Sequence, residues 1–141
     1  MADPNETRIA FQGENGAHSH AACLQVYPDM EPVACATFED ALGSVKSGKA
    51  KYAMIPIENS LAGRVADIHH LLPEADLYMV AEHFERVRHQ LLGLPGAKLE
   101  DLKSVFSHTH ALGQCRDVIR AVGLKAVREA DTAGAARIVK E

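Results

Sequence analysis

The groups best equipped for chemistry gather in one run, Pro56-Ile57-Glu58-Asn59-Ser60-Leu61-Ala62-Gly63-Arg64-Val65. A carboxylate, an amide and a hydroxyl stand side by side at Glu58, Asn59 and Ser60, able between them to hold and protonate an oxygen-bearing ligand. The mostly apolar residues 52–57 before them read as a buried strand, and Val65, Ile68, His69 and Leu72 after them fall at helical spacing. The three polar groups are therefore expected at the carboxyl end of a strand, where the chain turns into a helix. Open α/β sheets bind ligands there, because loop groups converge with the free N–H groups of the next helix. A plainer reading stands beside this one: Ser60 or Asn59 caps the helix and Glu58 is a solvated turn residue.

Two other patterns compete for attention. The eight histidines include the pairs His18/His20, His69/His70 and His108/His110. Such pairs reach one metal only with suitable backbone geometry, and no carboxylate or cysteine spacing completes a standard site, so no metal is expected. His69 falls on the apolar face of its helix and reads as a core histidine. Gly13-Glu14-Asn15-Gly16 follows a first strand but lacks both the third glycine of a dinucleotide fingerprint and the Gly-Lys-Ser/Thr of a phosphate loop. A tight turn is the leading reading, and a backbone that approaches some small ligand is the alternative.

The elements that must position these groups follow in order. Residues 8–12 form a strand and 18–27 a helix closed by Pro28; residues 32–36 form a second strand. Thr37 is expected to cap a helix carrying Phe38, Ala41, Leu42 and Val45 at i, i+3, i+4 and i+7, with Glu39 and Asp40 in its first turn and Gly48 as its stop. With the Glu58 segment this makes strand–helix three times over, which predicts a mainly parallel sheet covered by helices on both faces. Residues 77–82 read as a fourth strand. Alternation over 87–91 without an intervening helix then predicts a crossing into a second lobe. There residues 104–107 form a strand and 109–122 one long amphipathic helix ended by Gly123. Residues 125–129 make a last strand, and Asp131 or Thr132 caps a final helix. The expected division is a first α/β lobe over residues 1–82 and a second, incomplete one over 83–141.

Composition narrows the class. With 47% hydrophobic and 24% charged residues among 141, the chain is globular, not disordered. A formal charge of −4, with Lys and Arg scattered, gives no nucleic-acid surface. No run approaches a membrane span, and the polar, acidic start lacks the apolar core of an export signal. Cys23, Cys35 and Cys115 are odd in number and form no Cys-x-x-Cys pair, which predicts reduced thiols and a cytoplasmic location.

Taken together, the segments resemble prephenate dehydratase. The resemblance runs through Phe11-Gln12-Gly13-Glu14-Asn15-Gly16-Ala17, then Pro56 to Gly63, then Ser107-His108 with Ala111-Leu112-Gly113-Gln114-Cys115, then Asp131-Thr132-Ala133 with Ala135-Ala136. Thr109-His110 stands where the family usually has Pro-Gln. The resemblance implies a two-lobed α/β fold like that of type II periplasmic binding proteins, mainly parallel sheets flanked by helices, with the active site in the cleft between lobes. It implies decarboxylating dehydration of prephenate to phenylpyruvate, a step of phenylalanine biosynthesis that needs no cofactor. Asn59, Ser60, Ser107 and Gln114 would line the cleft, and Glu58 would orient donors or share a proton. Their alternatives are a helix cap for Ser107 and a solvated position for Gln114.

The family's Thr-Arg-Phe motif and its regulatory ACT domain do not occur in the chain. It therefore reads as a truncated dehydratase, inactive by itself. Its uncovered sheet edge and helix faces predict a homo-oligomer. The competing function is a non-catalytic, cytosolic two-lobed module that binds a small anion or an amino acid.

Overall fold

The computed structural model describes residues 4–141. The chain divides into two compact units between Arg86 and Val87, past the 82/83 division read from the sequence.

The first unit is built on three parallel strands, β1 (Arg8–Gln12), β2 (Glu31–Cys35) and β3 (Tyr52–Met54), in the order β2-β1-β3. Ile9 aligns with Pro32 on one side and Tyr52 on the other. The central strand is buried on both faces, which is why Ile9, Ala10 and Phe11 run together without a polar residue. Alternation along β1 then sorts them. Ile9 and Phe11 meet Cys23 of α1 (His18–Val26) on one face, joined by Tyr27, Met30, Tyr52 and Met54. Ala10 meets Ala41 of α2 (Phe38–Lys46) and Ala50 on the other. Cys35, Ala53 and Ile55 pack around these alanines. The cap of α2 forms as its sequence predicts: Thr37 Oγ1 accepts from the Asp40 N–H at 3.1 Å. Gly48 follows at φ +71, the left-handed conformation that ends a helix cheaply only with glycine. A third cluster, Leu42, Ile68 and Ala75, ties α2 to α3 (Ala66–Leu71).

Residues 77–82 and His69 depart from expectation in this unit. Residues 77–82 form no strand, although Leu77, Tyr78, Met79 and Val80 have strand composition. A strand needs a neighbour for its ladder and a surface for its side chains. Tyr78, Met79 and Val80 are 92%, 79% and 70% exposed and have neither. His69 is exposed, not a core residue. The six-residue α3 turns only Ile68 fully inward, and the next position lies about 100° round the helix.

The second unit pairs β6 (Ser104–Ser107) with β7 (Lys125–Arg128) in parallel, Val105 against Ala126 and Phe106 against Val127. The single helix expected over 109–122 is two helices, α4 (Thr109–Gln114) and α5 (Arg116–Val122). Cys115, at φ −97 and ψ 8, ends one and starts the other. This bridge-region backbone interrupts the ladder without a proline or glycine to announce it. Gly123 ends α5 in the left-handed region, as the sequence predicts. α6 (Thr132–Lys140) begins at Asp131, whose Oδ1 accepts from the Gly134 N–H at 2.6 Å. Among the described residues no helix is long and apolar enough to cross a membrane.

Candidate active site

Glu58, Asn59 and Ser60 do not start a helix. Glu58–Asn59 is a two-residue strand, β4, paired antiparallel with β5 (Gly63–Arg64), and α3 begins only at Ala66. Asn59 explains the difference. Its Oδ1 accepts from the backbone N–H groups of Leu61 and Ala62, each at 2.9 Å, and so winds residues 60–62 into a tight loop. Gly63 closes it at φ +83, where a Cβ would be strained. The Val65 N–H then donates to the Ile57 carbonyl at 3.1 Å and seals the hairpin's base.

The outcome is a small polar platform. Glu58 lies directly across the ladder from Arg64, and both are exposed. Ser60 is exposed in the loop. Asn59 is half-buried, and its side-chain oxygen is committed to the loop. The helix-cap alternative for Asn59 is thus a loop cap in fact.

In the second unit Ser107 ends β6 and is half-buried. The capping alternative for Ser107 does not hold. His108 takes that position at the start of α4, its Nδ1 accepting from the His110 N–H at 3.3 Å, with the two rings edge to face at 4.9 Å. Gln114 is the last residue of α4, one residue before the break at Cys115. It is half-buried rather than solvated, and its Oε1 lies 2.7 Å from Nε2 of His89. Sequence reasoning did not single out His89. Its only signal was a polar ring at an alternate position between Val87 and Leu91.

Two further histidines make contacts within the first unit. His20 Nδ1 accepts from the Gly16 N–H at 3.2 Å, and its ring lies 5.4 Å from that of Phe11. His83 Nε2 lies 2.9 Å from Gln25 Oε1 and 3.4 Å from Glu85 Oε2. Among the described residues no three His, Cys, Asp or Glu side chains converge in a metal-binding group.

Mainly parallel sheets flanked by helices, with polar groups in or next to short strands of each unit, mark an α/β protein of the periplasmic-binding-protein-like class. The family model for prephenate dehydratase matches residues 9–141, and the chain belongs to that family. It is 51% identical over 136 residues to a bifunctional N-acyl-homoserine lactone acylase/prephenate dehydratase of Komagataeibacter europaeus, covering 96% of this chain and 48% of that one. It is 41% identical over 137 residues to arogenate dehydratase/prephenate dehydratase 1, chloroplastic, of Arabidopsis thaliana, covering 97% and 35%. Among solved structures, the quorum-quenching acylase GqqA superposes with a TM-score of 0.86 at 50% identity, over 94% of this chain and 49% of that one. Prephenate dehydratase of Arthrobacter aurescens in complex with L-Phe superposes with a TM-score of 0.75 at 28% identity, over 95% and 46%. The chain thus spans about half the length of these relatives, or less.

Proposed function

We propose that the gene product carrying this chain converts prephenate to phenylpyruvate, with Glu58, Asn59, Ser60, Ser107 and Gln114 as its substrate-contacting residues. The observation that carries the reading is the family match across residues 9–141, which contains all five. In the reaction the bond from ring carbon to carboxylate breaks, carbon dioxide departs, and the bond's electron pair enters the ring. The ring hydroxyl then leaves, and a proton from the site makes it water. Hydroxide is a poor leaving group, so this proton sets the demand on the protein. Glu58 supplies or relays it. Ser60, Ser107 and the amide hydrogens of Asn59 and Gln114 supply neutral donors to the carboxylates, and these matter in a chain of net charge −4. A cytoplasmic, homo-oligomeric enzyme of aromatic amino-acid biosynthesis completes the reading, and arogenate is its alternative substrate.

The test is phenylpyruvate formation from prephenate by the purified gene product, with arogenate in parallel. Turnover of neither would overturn the proposal and favour a binding module. Residues 1–141 alone are expected to be slower by a factor of about a thousand or more, because they contain no Thr-Arg-Phe and residues that act as a constellation fail together.

A second reading rests on the two relatives of 50 and 51% identity that are named as acylases. In it the same gene product hydrolyses the amide of an N-acyl-homoserine lactone. Release of homoserine lactone from such a substrate, absent in a buffer control, would support it.

A further inference from the structure

We infer that His89 is a positioning residue for Gln114, fixing which edge of the Gln114 carboxamide meets an anionic substrate. The inference deepens the proposed function and rests on it. A carboxamide is ambiguous toward a carboxylate: its oxygen repels the anion and its N–H groups bind it, and a half-turn exchanges the two. The structure places a hydrogen-bond partner at the amide oxygen. Nε2 of His89 lies 2.7 Å from Oε1 of Gln114, within the second unit and across 25 residues of sequence. The amide oxygen has no proton to give, so the imidazole nitrogen donates. With its oxygen held by His89, the planar amide turns its N–H edge the other way.

Gln114 ends α4 beside the break at Cys115, and His89 lies in a stretch without regular structure; their contact ties the two together. Because the bond needs a proton on Nε2, it also fixes the ring's tautomer.

The test uses the gene product carrying the chain. In 15N-histidine-labelled protein, with the His89 signals assigned by their loss in His89→Gln, long-range 1H–15N correlations should show Nε2 protonated. An unprotonated Nε2 would mean that the ring accepts from the amide, and would overturn the inference whatever the activity. In kinetics, His89→Ala should lower kcat for prephenate about tenfold with a smaller change in KM, the scale of one misplaced donor. His89→Gln, which places an N–H near the same point, should recover most of that loss. In a Gln114→Ala background His89→Ala should cost nothing further. An equal loss in both backgrounds, or a fall in Tm with kcat unchanged, would show His89 to be structural only. If the wild type turned over neither prephenate nor arogenate, the proposed function would fail, and the tautomer measurement would still decide the His89–Gln114 pairing.

Discussion

Asn59 commits its side-chain oxygen to two backbone N–H groups, while Ser60, the next residue, is exposed in the loop that those bonds create. The two neighbours should therefore respond differently to alanine. Asn59→Ala removes an acceptor shared by Leu61 and Ala62 and should cost about 1–2 kcal/mol in a denaturant melt. Ser60→Ala should leave the melt unchanged and lower turnover about tenfold, the scale of a lost transition-state donor. A melt lowered by Ser60→Ala with turnover intact would return Ser60 to a structural role.

Cys23 makes a second prediction at this scale. It is fully buried against Ile9 and Phe11, and burial pushes its thiol from 9.0 to about 11. The folded state thus holds the thiol proton more tightly than the unfolded chain does. Stability from this source is complete below pH 9 and is lost as the pH rises through 11, by about 2–3 kcal/mol in all. Other groups titrate in the same window, so the measurement is a difference. Cys23→Ala should flatten the decline of stability between pH 9 and 11 relative to the wild type, and parallel curves would refute the assignment.

At the scale of elements, what the sequence made legible was whatever carried its own chemistry. Thr37 announced a helix start, Asp131 or Thr132 another, Gly123 announced a stop, and residues 8–12 announced a strand. What stayed hidden depended on tertiary partners or on very short elements. Residues 77–82 have the composition of a strand but no ladder to join. β4 and β5 are two residues each, too short for any period to show, so the hairpin passed for the start of a helix. Nothing in the sequence marks Cys115 as a break. Glu58, Asn59 and Ser60 were candidates from spacing and Ser107 and Gln114 from resemblance, whereas His89 required coordinates because its partner lies 25 positions away.

The start of α6 offers an element-scale test. A Cβ on Gly134 would lie 2.9 Å from Oδ2 of Asp131, the residue that caps it. Gly134→Ala should therefore dislodge the cap and cost about 1 kcal/mol. In an Asp131→Ala background the obstruction is gone, and the same substitution should stabilise by about 0.5–1 kcal/mol through helix propensity. That reversal of sign, read from paired denaturant melts, would fail to appear if the cap were unimportant.

At the scale of the whole molecule, each sheet is self-contained. The ladders of β2-β1-β3 and β4-β5 lie within residues 8–64, and that of β6-β7 within 104–128. The chain passes from one unit to the other through residues 77–94, where no regular structure is formed, and Arg86 and Arg88 are both exposed there. A protease specific for arginine meets in that stretch a backbone free to enter its cleft, while sites inside helices and strands must wait for local unfolding. Brief trypsin treatment should therefore nick the protein after Arg86 or Arg88 first. No strand pairing is severed by that cut. The two pieces, left together, should keep the circular dichroism of the intact chain. Mass spectrometry of the earliest fragments decides the matter: first cuts within 8–64 or 104–128 would mean that the ladders, not the passage between the units, are where this chain opens.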